Sequence, residues 1–128
     1  MSIKTDAKLI PLIYACSGCS NVAQLANNVA VNLDRQGLAE MSCIAGVGGG
    51  VKSLVKKALA GRDIIAIDGC ALACAKACLS NAGVEPTHHV QLADWDYKKR
   101  YHSDYSTADV EQVVERLVNN YQLTPPSH

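Results

Sequence analysis

Apolar positions along this chain fall alternately into short continuous runs and into helical periods. "LIPLIYA" (9–15) reads as a buried strand. Ser20 then stands ready to cap a helix whose face is Val22, Leu25, Ala26, Val29, Ala30 and Leu33, with Gly37 ending it. "AEMSCIAG" (39–46) reads as a second, weaker strand, and Val51, Leu54, Val55, Ala58 and Leu59 line a second helix closed by Gly61. "DIIAID" (63–68) is continuous and β-branched, as strands covered on both faces are. A third helix is expected from Gly69 to about Asn81–Gly83, and "HHVQLA" (88–93) predicts a fourth strand. The last helix starts at Ser106 or Thr107, and its face is Val110, Val113, Val114, Leu117, Val118 and Tyr121. Residues 94–106 show no clean period and hold the only Trp; "TPPSH" (124–128) reads as a frayed tail.

Strand and helix alternating four times imply right-handed crossovers. The expected architecture is one three-layer α/β domain over residues 1–128: a mainly parallel sheet of about four strands with helices on both faces. A length of 128 residues suits one domain, and the 48% hydrophobic share suits a packed core. Phe is absent, so aliphatic side chains must fill that core. A formal net charge of zero argues against nucleic acid or an anionic membrane as partner. "LIPLIYAC" superficially resembles an export signal ending at Cys16. Pro11 interrupts its apolar run, however, and Asp6 sits where a positive region belongs. No stretch approaches the ~18 apolar residues of a membrane span. A soluble, cytoplasmic protein is expected, and there six cysteines point to metal or thiol chemistry rather than structural disulfides.

The expected topology makes the cysteine positions informative, because ligands of open parallel sheets collect outside the carboxyl ends of the strands. Cys16 ends the first strand, Cys19 lies in the turn after it, and Cys43 lies late in the second. Cys70 follows the third strand by two residues, and Cys74 is one helical turn further on. Five thiols therefore project toward one edge. Asp68 is placed to cap the third helix through the N–H of Cys70 or Ala71, and Gly69 permits the tight turn into it. On a regular helix Cys74 rises about 6 Å beyond Cys70 and Cys78 about 12 Å. One ion with sulfur ligands at ~2.3 Å bridges the first pair but not Cys78, which reads as a buried small hydrophobe. Cys16, Cys43, Cys70 and Cys74 are the first choice of four zinc ligands, with Cys19 a substitute or a reactive neighbour.

Other motifs are weaker. "CSGCSNV" resembles the loop of low-molecular-weight phosphatases, but Val22 stands where their arginine belongs. "GVGGGVKS" (46–53) nearly spells a P-loop, but Val51 replaces the glycine before Lys52. Its glycines suit close backbone approach to the thiol site, or a small anion at the helix start. His88 and His89 are metal donors by type but open a strand, where such pairs are usually half exposed.

Together "CSGCSNVAQLAN", "MSCIAGVGGGVKSLVKKA" and "AIDGCALACAKACLSNAGV" resemble the DGC domain, a bacterial family named for its Asp-Gly-Cys motif and described as zinc-binding. The likeness spans about residues 10–119. It implies four family cysteines at Cys16, Cys43, Cys70 and Cys74; related sequences can have Gly where this chain has Cys19. A protein binding zinc through a cysteine cluster is therefore the leading expectation. The alternatives are a thiol reductase or sulfur-transfer enzyme using Cys16/Cys19 and Cys70/Cys74, a structural zinc site in an interaction module, or another metal or iron–sulfur centre.

Overall fold

The computed structural model describes residues 10–126. Leu9 of the expected first strand, and Ser127 and His128 of the expected tail, lie outside them. Four strands, β1 (Leu12–Ala15), β2 (Glu40–Met41), β3 (Ile64–Asp68) and β4 (His88–Gln91), form one sheet in the order β2-β1-β3-β4. Every pairing in it is parallel. Five α-helices connect and flank the strands: α1 (Asn21–Arg35), α2 (Ile44–Gly48), α3 (Lys52–Ala58), α4 (Cys74–Asn81) and α5 (Thr107–Tyr121). The expected α/β architecture is what the chain adopts. None of the helices in the described residues is long and apolar enough to cross a membrane.

Alternation along the strands divides the core between the two sheet faces. Ile13 and Ala15 of β1, with Ile65 and Ile67 of β3, pack against Leu25, Val29 and Leu33 of α1 and Val113 and Leu117 of α5. Leu12 and Tyr14, with Ile64 and Ala66, face Val47 of α2, Ala58 of α3 and Leu79 of α4. Each fully buried Leu or Ile contributes about 2 kcal/mol of hydrophobic stabilisation. Ser20 caps α1, its Oγ accepting from the Ala23 N–H at 3.1 Å, and Ser106 caps α5 in the same way through Asp109.

Three expected boundaries move. The second strand stops at Met41, and the sequence that was to continue it becomes α2. Cys43 is therefore the residue before a helix rather than part of a strand. Its glycines make this helix useful: a Cβ on Gly46 would fall 2.0 Å from Leu54 Cδ1 of α3, and one on Gly48 would fall 2.8 Å from Cys78 Sγ of α4. The third helix begins at Cys74 rather than near Cys70, after Ala73 adopts a left-handed conformation (φ 51°). The fourth strand ends at Gln91, where Leu92–Trp95 tighten into a 3₁₀ turn.

Candidate functional site

The strand order places a topological switch point between β1 and β3. From β1 the chain turns to the sheet face that carries α1, and from β3 to the opposite face, which carries α4. Two connections diverging in this way open a crevice at the carboxyl ends of the strands, where open α/β sheets bind ligands. A cleft of about 460 Å³ lies there.

Cys16, Cys19, Cys70 and Cys74 line this cleft, and Cys78 lines it too. Cys16 immediately follows β1 and is held by its backbone, its N–H donating to the Ile67 carbonyl at 3.0 Å. The Gly69 N–H donates to Cys16 Sγ at 3.2 Å. Only glycine fits at position 69, because a Cβ would lie 2.7 Å from the backbone carbonyl carbon of Val22. Cys19 and Cys74 are exposed, whereas Cys70 and Cys78 are half-buried. Cys43 is exposed beside the lining residue Ile44 but is not itself in the lining. Cys78, expected as a buried hydrophobe, instead packs its sulfur on Gly48 and shows part of itself to the cleft.

Asp68 does cap the cysteine helix, but from further away than a regular N-cap. Its Oδ1 accepts from the Ala75 N–H at 2.7 Å and its Oδ2 from the Lys76 N–H at 3.1 Å. Residues 69–73 loop outward between the carboxylate and the helix it caps, so Cys70 and Cys74 do not form one helical stripe. His89 Nε2 lies 2.9 Å from Asp68 Oδ2. That histidine serves the buried carboxylate, while His88 stacks on Tyr121 with ring centroids 4.1 Å apart.

The aperiodic segment borders the cleft as a strap, Lys99 and Tyr101 lining it. Asn21, almost fully buried at the start of α1, donates from Nδ2 to the Lys98 carbonyl at 2.9 Å. Its Oδ1 accepts from the Arg100 N–H, and its own N–H donates to the Arg100 carbonyl. Left-handed residues Asp96 (φ 68°) and His102 (φ 57°), types that tolerate that conformation, bend the chain on either side. The strap brings Lys99 Nζ to 3.6 Å from Cys70 Sγ, with the Tyr101 ring centroid 5.0 Å from the same ammonium. Tyr101 pushes the Lys99 pKa up, partly offset by desolvation and reinforced by Cys70, and the ammonium lies beside the Cys70 thiol. Asn21, Lys99 and Tyr101 escape sequence reasoning because their partners lie far along the chain or in a segment with no period.

Burial pushes the Cys16 thiol up to about 11, against the lowering effect of the Gly69 N–H; Asp68, Cys74 and Cys70 push it further up. In the metal-free protein Cys16 therefore holds its proton where an unfolded thiol has lost it. Its contribution to stability is present below the ordinary thiol pKa of about 9 and is lost as pH rises from there toward 11. Cysteine-directed alkylation of the metal-free fold is expected to find Cys16 slow at pH 8 and accelerating toward pH 11. Rapid labelling of Cys16 near neutrality, in protein that remains folded, would contradict this assignment.

Four thiols match the donor chemistry of an all-sulfur zinc site, which asks for sulfurs at about 2.3 Å. Among the described residues no three His, Cys, Asp or Glu side chains already stand in an arrangement that holds an ion. The donor set fits zinc in kind and number.

The family model of the DGC domain matches residues 12–117. A curated protein of Pseudomonas aeruginosa, the anaerobic and virulence modulator AnvM, is 56% identical over 112 residues, covering 85% of this chain and 86% of its own length. No solved structure matches.

Proposed function

The chain belongs to the DGC domain family, and from that premise we propose that it is a regulatory protein whose signal is the state of the switch-point thiols. In this reading Cys16, Cys70 and Cys74, with Cys19 as the fourth donor, bind a thiophilic metal ion, zinc before others. It acts in the cytoplasm, where free thiols persist. The observation that carries the reading is that thiols from the β1 loop, the β3 loop and the start of α4 line one cleft. The similar protein's name, a modulator, supports a regulatory role. Bound zinc would cross-link the two diverging loops through thiolates and leave a net charge near −2 on the site. Lys99 and the N-terminus of α1 are placed to offset that charge.

Protein purified without added metal is expected to carry about one equivalent of zinc. Alkylation read by peptide mass spectrometry should then find Cys16, Cys19, Cys70 and Cys74 protected, and a chelator should unmask the solvent-exposed Cys19 and Cys74 first. Rapid labelling of all four in metal-loaded protein would end the zinc reading.

A thiol-exchange enzyme is the second reading, favoured by the Cys16-x-x-Cys19 pair and by the ammonium of Lys99 beside Cys70. It requires a Cys16–Cys19 disulfide to form on mild oxidation of the metal-free protein, reversible at potentials of about −200 to −270 mV.

A further inference from the structure

On the sheet face that carries α2, α3 and α4, a second concavity lies away from the thiols. It is an open groove of about 700 Å³ between α3 and the end of α4. Val47, Val55 and Leu59 supply its apolar lining, with Ala60 and Ala82 beside them. Leu59, in the lining, is 55% exposed, and Val51, outside the lining but next to Lys52, is 49% exposed, so apolar surface is open to solvent here. Helix α3 buries Ala58 and packs Leu54 against the core, while Lys52, Ser53 and Lys56 are exposed.

Charge indicates the kind of molecule that covers this surface. Lys52 and Lys56 stand in the groove wall, and no acidic side chain lines it. Among the described residues neither lysine has an acidic partner within ion-pair distance, whereas the next lysine, Lys57, is paired with Glu40 at 2.6 Å. A groove floored by aliphatics and edged by unpaired ammonium groups complements an amphipathic helix with acidic flanks. It opposes a second copy of the same face, which would set lysine against lysine.

We propose that this groove docks an acid-flanked, apolar helix of a partner protein. The groove also shares a wall with the thiol cleft. Ile44 and Ala45 at the start of α2 line the cleft, and Val47 and Gly48 at its end line the groove. Gly48 rests on Cys78, which itself lines the cleft. A partner seated here therefore touches the same two helices that frame the thiols. The inference stands on the groove alone, so loss of the zinc reading leaves it intact.

The test uses the full chain and a fluorescent synthetic peptide of about 15 residues, about the length at which an isolated helix begins to hold. The peptide has leucines at i, i+3, i+4 and i+7 and glutamates on its flanks. Fluorescence anisotropy should show saturable binding that weakens with added salt. It should fall about tenfold or more in Lys52→Glu/Lys56→Glu and in Leu59→Asp. A peptide with lysine in place of every glutamate should not bind. Amide chemical-shift changes on the unaltered protein, clustered at Val47, Val55 and Ala82, give the same answer if a variant fails to fold. The proposal is overturned if the acidic peptide does not bind, if the lysine peptide binds as well, or if the shifts map elsewhere. A dimer dissociated by Leu59→Asp would overturn it too, since the chain would then cover its own groove.

Discussion

Replacing Asp68 with Ala is expected to lower the stability of this protein by about 3–4 kcal/mol, a large part of what a domain of this size has. Asp68 is only 1% exposed, and its carboxylate accepts from two N–H groups of α4 and contacts His89. Alanine would leave those donors facing a space without an acceptor, and charge-assisted bonds of this kind contribute about 1.5–3 kcal/mol each before relaxation. The melting temperature should fall by about 10 °C or more. Asp68→Asn should cost less, because its carbonyl oxygen still accepts one of the two helix N–H bonds. The effect should also reach the thiols, since Asp68 fixes where α4 begins and Cys74 is its first residue. A fall of less than about 2 °C in Asp68→Ala would show that water or a neighbouring group replaces the carboxylate.

On the zinc reading proposed above, changing Cys70 and Cys74 together to Ser should abolish zinc binding while leaving the metal-free fold almost unchanged. Neither side chain is fully buried, so the packing cost is small, within about 0.5 kcal/mol for such positions. Two of four sulfur donors would be gone, and hydroxyl groups do not replace thiolates on zinc. Comparing single variants then settles the fourth ligand. The cleft geometry predicts that Cys19→Ser weakens zinc retention and Cys43→Ser does not, because Cys19 lines the cleft and Cys43 does not. The family resemblance alone would predict the reverse. Zinc content measured on all three proteins decides between them, and unchanged content in the double variant would remove the site from this cleft.

Hydrophobic period was enough to read four strands alternating with helices, the parallel sheet and the helices on its two faces, but not the extra helix α2. Those features follow from side-chain repeats of 2 and 3.6, which are local properties of the chain. Topology rules sent five thiols, Cys16, Cys19, Cys43, Cys70 and Cys74, to one edge; in the structure the first two and the last two line one cleft, while Cys43 stands outside its lining. What the sequence could not determine depends on contacts between distant residues. "AEMSCIAG" has the composition of a weak strand, yet its latter half is a helix, because Gly46 and Gly48 let Leu54 and Cys78 come against it. The onset of α4 moved by about a turn because a buried carboxylate at the end of β3 satisfies the N–H groups of Ala75 and Lys76 rather than those nearest in sequence. Lys99 reached Cys70 only because Asn21, 77 positions before Lys98, holds the strap by its backbone. Periodicity records which face of an element is buried; which partner buries it, and which loop closes over a site, are set by packing and hydrogen bonds that form only when the whole chain has folded.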